Sequence, residues 1–134
     1  PEQLAQVAAT ITAYKRMRPL LHGGRAVRID HPDPAALVHG VVTYDGAHAV
    51  FAYAQLTPSA TTVPAPVRLS GLDPQRAYRV STIDDLGSAK EFGRTRPGWM
   101  SRQTELSASQ LCERGLQPPI LHPESVLLLE LVAV

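Results

Sequence analysis

Leu37-Val38-His39-Gly40-Val41-Val42-Thr43-Tyr44-Asp45-Gly46-Ala47-His48-Ala49-Val50-Phe51-Ala52-Tyr53-Ala54-Gln55-Leu56 decides the fold. Residues 37–44 and 48–56 are rich in Val, Ala and aromatic side chains, which suit a pleated, half-buried surface. Asp45-Gly46 lies between them. Such a dipeptide between two strand-like runs marks a tight turn, because glycine takes positive φ without a Cβ clash. The stretch is a central antiparallel hairpin.

Upstream of it, residues 25–29 alternate polar and apolar side chains, as a half-buried strand does. His31-Pro32-Asp33-Pro34 then forbids regular strand, since neither proline can donate to a ladder. Gly23-Gly24 separates this region from an opening segment of different period. There Leu4, Val7, Ala8, Ile11, Tyr14 and Met17 recur at spacings of three and four, which places them on one stripe of a helix. Pro19 disfavours helix at Arg18 and is expected to end it. Pro1 and Glu2 supply no capping Ser, Thr or Asp, so the segment reads as cut from a longer chain.

Downstream, residues 67–69 are a short strand leading to the turn Gly71-Leu72-Asp73-Pro74, after which Tyr78 and Val80 alternate with Arg79 and Ser81. Residues 84–103 collect Gly87, Gly93, Pro97 and Gly98 among charges and are expected to form a long exposed loop. Residues 107–114 fit a turn and a half of helix closed by Gly115 in the left-handed region. The last run, residues 126–134, is nearly continuous Val and Leu with one charge, Glu130. It suits a strand buried on both faces in the middle of a sheet.

Short strands with close turn signals and no alternating helices predict a mainly β protein, an antiparallel, Greek-key-like β-sandwich preceded by one N-terminal α-helix. An amphipathic helix ahead of a sandwich needs another surface for its stripe, which points to a neighbouring domain on that side. In isolation the exposed helix face is available for pairing with a second copy.

With 134 residues, 44% hydrophobic and 19% charged, the chain has one domain's worth of core and is not a disordered tail. Thirteen Lys and Arg against 12 Asp and Glu leave a net charge of +1, spread along the chain, which does not imply nucleic acid. No run approaches the roughly 20 apolar residues of a membrane helix, and no signal-peptide order is visible. The single Cys112 has no partner for an internal disulfide or a cysteine-pair metal site and is read as a buried thiol. A cytoplasmic location is expected.

Several stretches, in order, resemble family-36 glycoside hydrolases, the α-galactosidases of melibiase type. Tyr14-Lys15-Arg16-Met17-Arg18-Pro19-Leu20-Leu21-His22-Gly23-Gly24-Arg25 is similar to the end of their catalytic barrel. His31-Pro32-Asp33-Pro34, Phe51-Ala52-Tyr53-Ala54-Gln55-Leu56 and Gly71-Leu72-Asp73-Pro74-Gln75-Arg76-Ala77-Tyr78-Arg79-Val80 resemble segments of the bacterial members. Gly115-Leu116-Gln117-Pro118 and His122-Pro123-Glu124-Ser125 fit as well. The resemblance implies that residues 1–21 are the last helix of a (β/α)8 barrel or a linker helix, and that residues 22–134 are the C-terminal β-sandwich. In that family the chemistry belongs to two barrel aspartates. The Lys-Trp-Asp and Cys-Ser-Gly-Gly-Gly type motifs have no counterpart in this chain.

A retaining glycosidase needs two carboxylates about 5 Å apart across a sugar pocket. Asp84-Asp85 is the one adjacent acidic pair, and it sits among loop residues that point it into water. His22, His31, His39, His48 and His122 lack the spacing of a zinc site, and Ser59, Ser70, Ser81 and Ser125 lack a nucleophile elbow. No catalytic residue, cofactor or metal is assigned. Sugar-binding modules stack aromatic faces on pyranose rings, which would recruit Trp99, Tyr44, Tyr53 or Phe92; Tyr53 and Tyr78 sit in strand patterns and read as core. The leading expectation is a non-catalytic domain packed on the barrel of an α-galactosidase, inactive alone. The alternatives are a carbohydrate-binding module using Trp99 and a fibronectin-like interaction domain.

Overall fold

The expected hairpin is present and organises everything else. A computed structural model describes residues 1–59, 62–84, 91 and 96–134. Its elements are α1 (Glu2–Gly23), β1 (Arg25–Ile29), β2 (Ala36–Val42), β3 (His48–Gln55), β4 (Ala77–Thr82), β5 (Thr104–Ser107), α2 (Ala108–Glu113) and β6 (Ser125–Ala133). β2 and β3 pair antiparallel from Ala36↔Gln55 to Val42↔Ala49. At their turn Gly46 has φ 73°. The Asp45 carboxylate accepts from the Ala47 amide at 2.9 Å and from the Thr43 hydroxyl at 2.7 Å. These bonds favour its ionised form and hold its pKa below the ordinary value.

The six strands form one antiparallel sheet in the order β1-β2-β3-β6-β4-β5. The connection from β3 to β4 skips the place that β6 fills, so the C-terminal strand is the seam between two parts of the sheet. Side chains directly opposite one another share a face. Val42, Ala49, Leu131 and Val80 form one inward row, and Ile29, Val38, Tyr53 and Leu127 another. All of them are buried in the main core.

The second layer of this sandwich-like domain is largely irregular. Val67, Leu69, Leu111, Leu116 and Leu121 cover the inner face of the sheet. Residues 67–69, read as a strand, contribute a single bridge, Val67↔Leu116. The helix α2 follows the sequence expectation: the Ser107 hydroxyl accepts from the Gln110 amide while the Gln110 side chain accepts from the Ser107 amide. Gly115 ends it at φ 76°, where a Cβ would meet the Val67 carbonyl oxygen at 2.5 Å. Cys112, expected to be buried, is exposed. Ala108 and Leu111 define the inward side of α2, and the residue after Leu111 is turned about 100° away from it.

Three other expectations are corrected. First, α1 does not stop at Pro19 but runs to Gly23. Proline inside a helix costs about 3 kcal/mol, and here Met17 and Leu20, on either side of it, are both 4% exposed against Val50 and Ile83. Second, of the predicted stripe Met17 alone lies on the face that packs on the sheet. Ala13, Met17 and Leu20 face inward, whereas Leu4, Val7, Ile11 and Tyr14 are 68%, 55%, 49% and 41% exposed. Third, β6 is central but is not buried on both faces: Val126 and Val132 remain 48% and 42% exposed, because α1 covers only part of the outer face. Within residues 84–103, the stretches 85–90 and 92–95 lie outside the described residues; Gly98–Met100 is a short 3-10 turn.

One ionic cluster ties α1 to the sheet. Glu130, on the outer face of β6, accepts from Arg16 Nη1 at 3.0 Å and lies 2.7 Å from His48 Nε2. The packing beneath outweighs it. Met17→Ala is expected to lower stability by about 2 kcal/mol through the cavity it leaves, while Arg16→Ala, at a half-exposed position, should cost under about 1 kcal/mol. Urea denaturation of both variants checks this; equal losses would mean that the charges, not the apolar joint, hold the helix.

Candidate functional site

The polar residues that a catalytic reading would recruit do not converge. Asp84 is exposed and accepts from the Thr82 hydroxyl at 3.1 Å, and Asp85 lies outside the described residues. Asp33, 8% exposed, is committed to its loop: it accepts from the Ala35 amide at 2.9 Å and from the Ser59 hydroxyl at 2.6 Å. Such bonds satisfy a buried carboxylate.

The histidines are equally dispersed. His31 Nδ1 accepts from the Asp33 amide at 3.1 Å, so its proton sits on Nε2 and is donated to the Ala65 carbonyl at 3.1 Å. Its ring stands edge-on to Tyr53 at 5.7 Å. That fixes a loop. His22 meets the Tyr14 hydroxyl at 2.9 Å, His48 belongs to the Glu130 cluster, and His39 and His122 are exposed. Among the described residues no three His, Cys, Asp or Glu side chains are grouped to hold a metal.

Two of the aromatic residues are core, as their strand positions implied. Tyr53 is 1% exposed, and burial, with the Asp33 charge as a second cause, raises the pKa of its phenol. Tyr78 is fully buried; its hydroxyl donates to the Gly46 carbonyl at 2.6 Å and accepts from the Asp73 amide at 3.1 Å. Tyr44 is 78% exposed, and Phe92 is outside the described residues. Trp99 is half-buried: it packs on the main core, and its indole N–H donates to the Gln117 carbonyl at 2.8 Å. It lines a cleft of about 340 Å3 with Ser81, Thr82, Arg102 and Gln103. Those four are scattered polar residues of a strand end and a loop, and no sequence pattern distinguishes them from a solvated surface.

The other exposed feature is the outward stripe of α1, where four large apolar side chains face away from the sheet. A fibronectin-like domain would not require this helix. The model of the glycosyl hydrolase family 36 C-terminal domain matches residues 36–124. This chain belongs to that family. The matched region begins at the first residue of β2 and ends one residue before β6.

Family-36 membership is supported by likeness over nearly the whole chain. It is 37% identical over 123 residues to an α-galactosidase of Escherichia coli, covering 88% of this chain and 17% of that protein. The chain thus spans about a sixth of the length of that relative. The fold is shared with the α-galactosidase of Lactobacillus brevis at a TM-score of 0.75 and 22% identity, over 100% of this chain and 17% of that one. It is also shared with the family-36 α-galactosidase of Geobacillus stearothermophilus, solved in complex with raffinose, at a TM-score of 0.68 and 21% identity, over 92% of this chain and 15% of that one. The family-36 C-terminal domain is a small part of these larger enzymes.

Proposed function

We propose that this chain is a non-catalytic, structural part of an α-galactosidase, and that it packs on the catalytic barrel and stabilises it while the barrel's own carboxylates hydrolyse terminal α-galactosides. The observation that carries this reading is the pairing of a family-36 C-terminal match with a helix whose apolar stripe, Leu4, Val7, Ile11 and Tyr14, is left exposed by the described residues. Large exposed apolar stripes mark interaction surfaces. The residues on α1 that do pack, Ala13, Met17 and Leu20, anchor it to the sheet, so the same helix has one face for its own domain and another for its neighbour. The cytoplasmic location expected from the sequence belongs to the same proposal.

The test has two arms. The 134-residue chain should give no turnover of p-nitrophenyl α-D-galactopyranoside; measurable hydrolysis would overturn the non-catalytic reading. In an α-galactosidase that carries this domain, Val7→Asp with Ile11→Asp should lower the melting temperature by several degrees, on the order of 2–4 °C per kcal/mol lost. The same pair in the chain alone should leave its melting unchanged, because both side chains are already in water. An enzyme indifferent to the pair would remove the docking role from the stripe.

A further inference from the structure

The cleft beside Trp99 is lined from β4 and residues 99–103, not from the α1 stripe. Its volume, about 340 Å3, is at the small end of the range that ligand sites occupy. One wall is a rigid aromatic. The Trp99 indole is held through its N–H on Gln117, its carbonyl accepts from the Thr104 hydroxyl at 3.3 Å, and its ring packs on the core. A side chain fixed in this way loses little further freedom when a ligand settles on it.

The remaining rim offers hydrogen bonds of both senses. Thr82 brings a hydroxyl from the end of β4, in register with the inward Leu129, and Arg102 and Gln103 bring planar donor groups from the segment before β5. The Thr82 hydroxyl gives its proton to Asp84 and keeps its lone pairs for another donor. The charged lining residues are Arg79 and Arg102, and Arg79 is partly neutralised by Glu105 at 3.6 Å. An apolar plate beside polar groups matches a pyranose, which has a C–H face and an equator of hydroxyls.

We propose that this cleft binds one hexose unit of a neutral oligosaccharide, by stacking on Trp99 and hydrogen bonding to Thr82, Arg102 and Gln103.

The chain contains one tryptophan, so its fluorescence reports on this cleft alone. Titration of the 134-residue chain with raffinose or maltotriose should shift the emission saturably, with a Kd on the order of 1 mM. Arg102→Ala and Gln103→Ala, both at exposed positions, should each weaken binding about tenfold, equivalent to about 1.4 kcal/mol, without moving the melting temperature. Trp99→Ala, followed by calorimetry, should abolish binding. No spectral change up to about 50 mM of either sugar, a response unaffected by the Arg102 and Gln103 substitutions, or a response to sodium sulfate alone would each overturn the proposal.

Discussion

Tyr78→Phe is expected to destabilise the domain by about 2 kcal/mol, although it removes one oxygen atom and leaves the ring in place. The hydroxyl joins the turn at Gly46 to the turn at Asp73, donating to the Gly46 carbonyl and accepting from the Asp73 amide. Phenylalanine at this fully buried position strands a donor and an acceptor at once, and each unpaired buried group costs about 1–3 kcal/mol. Tyr44→Phe, at a side chain 78% exposed, is the control and should change nothing measurable. Chemical denaturation of the two variants decides the matter. If both behave alike, water replaces the Tyr78 hydroxyl and the bridge between turns is dispensable.

A larger loss is expected from Gly40→Ala, at about 3 kcal/mol or more, the upper part of the range for overpacking. Gly40 stands in the middle of β2, in a cross-strand row with Val27, Phe51 and Leu129. The Phe51 ring, 1% exposed, lies over the place where a Cβ would be, and the Val50 carbonyl oxygen is 2.6 Å from that place. Ring and methyl cannot both occupy it. Phe51→Leu in the same chain should recover less than half of the loss, since the backbone oxygen stays where it was. Tolerance of Gly40→Ala within about 1 kcal/mol would show that β2 and β3 can part locally, against the continuous pairing of the hairpin.

Much of the β architecture was legible because its signals are local. Asp45-Gly46 between two strand-like runs marked the hairpin, and Ser107 to Gly115 carried the start and stop of a helix in nine residues. β5 escaped notice because four residues, Thr104–Ser107, carry too little period to be told from loop. Trp99 could be named as a candidate sugar contact, but not the polar residues that line the cleft with it, since β4 and the segment before β5 meet only through strand pairing.

The sequence by itself determined where β1, β2, β3, β4 and β6 lie, where the tight turns fall, that the apolar tail belongs inside the sheet, and which family the chain resembles. Those properties follow from side-chain period and backbone permission, both of which are written within a few residues. Only the tertiary structure decided which face of α1 is inward, that the helix passes through Pro19, and that one side of β6 is left partly wet. In each case the outcome depends on what lies opposite. Apolar burial is a property of two surfaces, and where the second surface is an irregular layer or only half a helix, the period of the first cannot say how much of it will be covered.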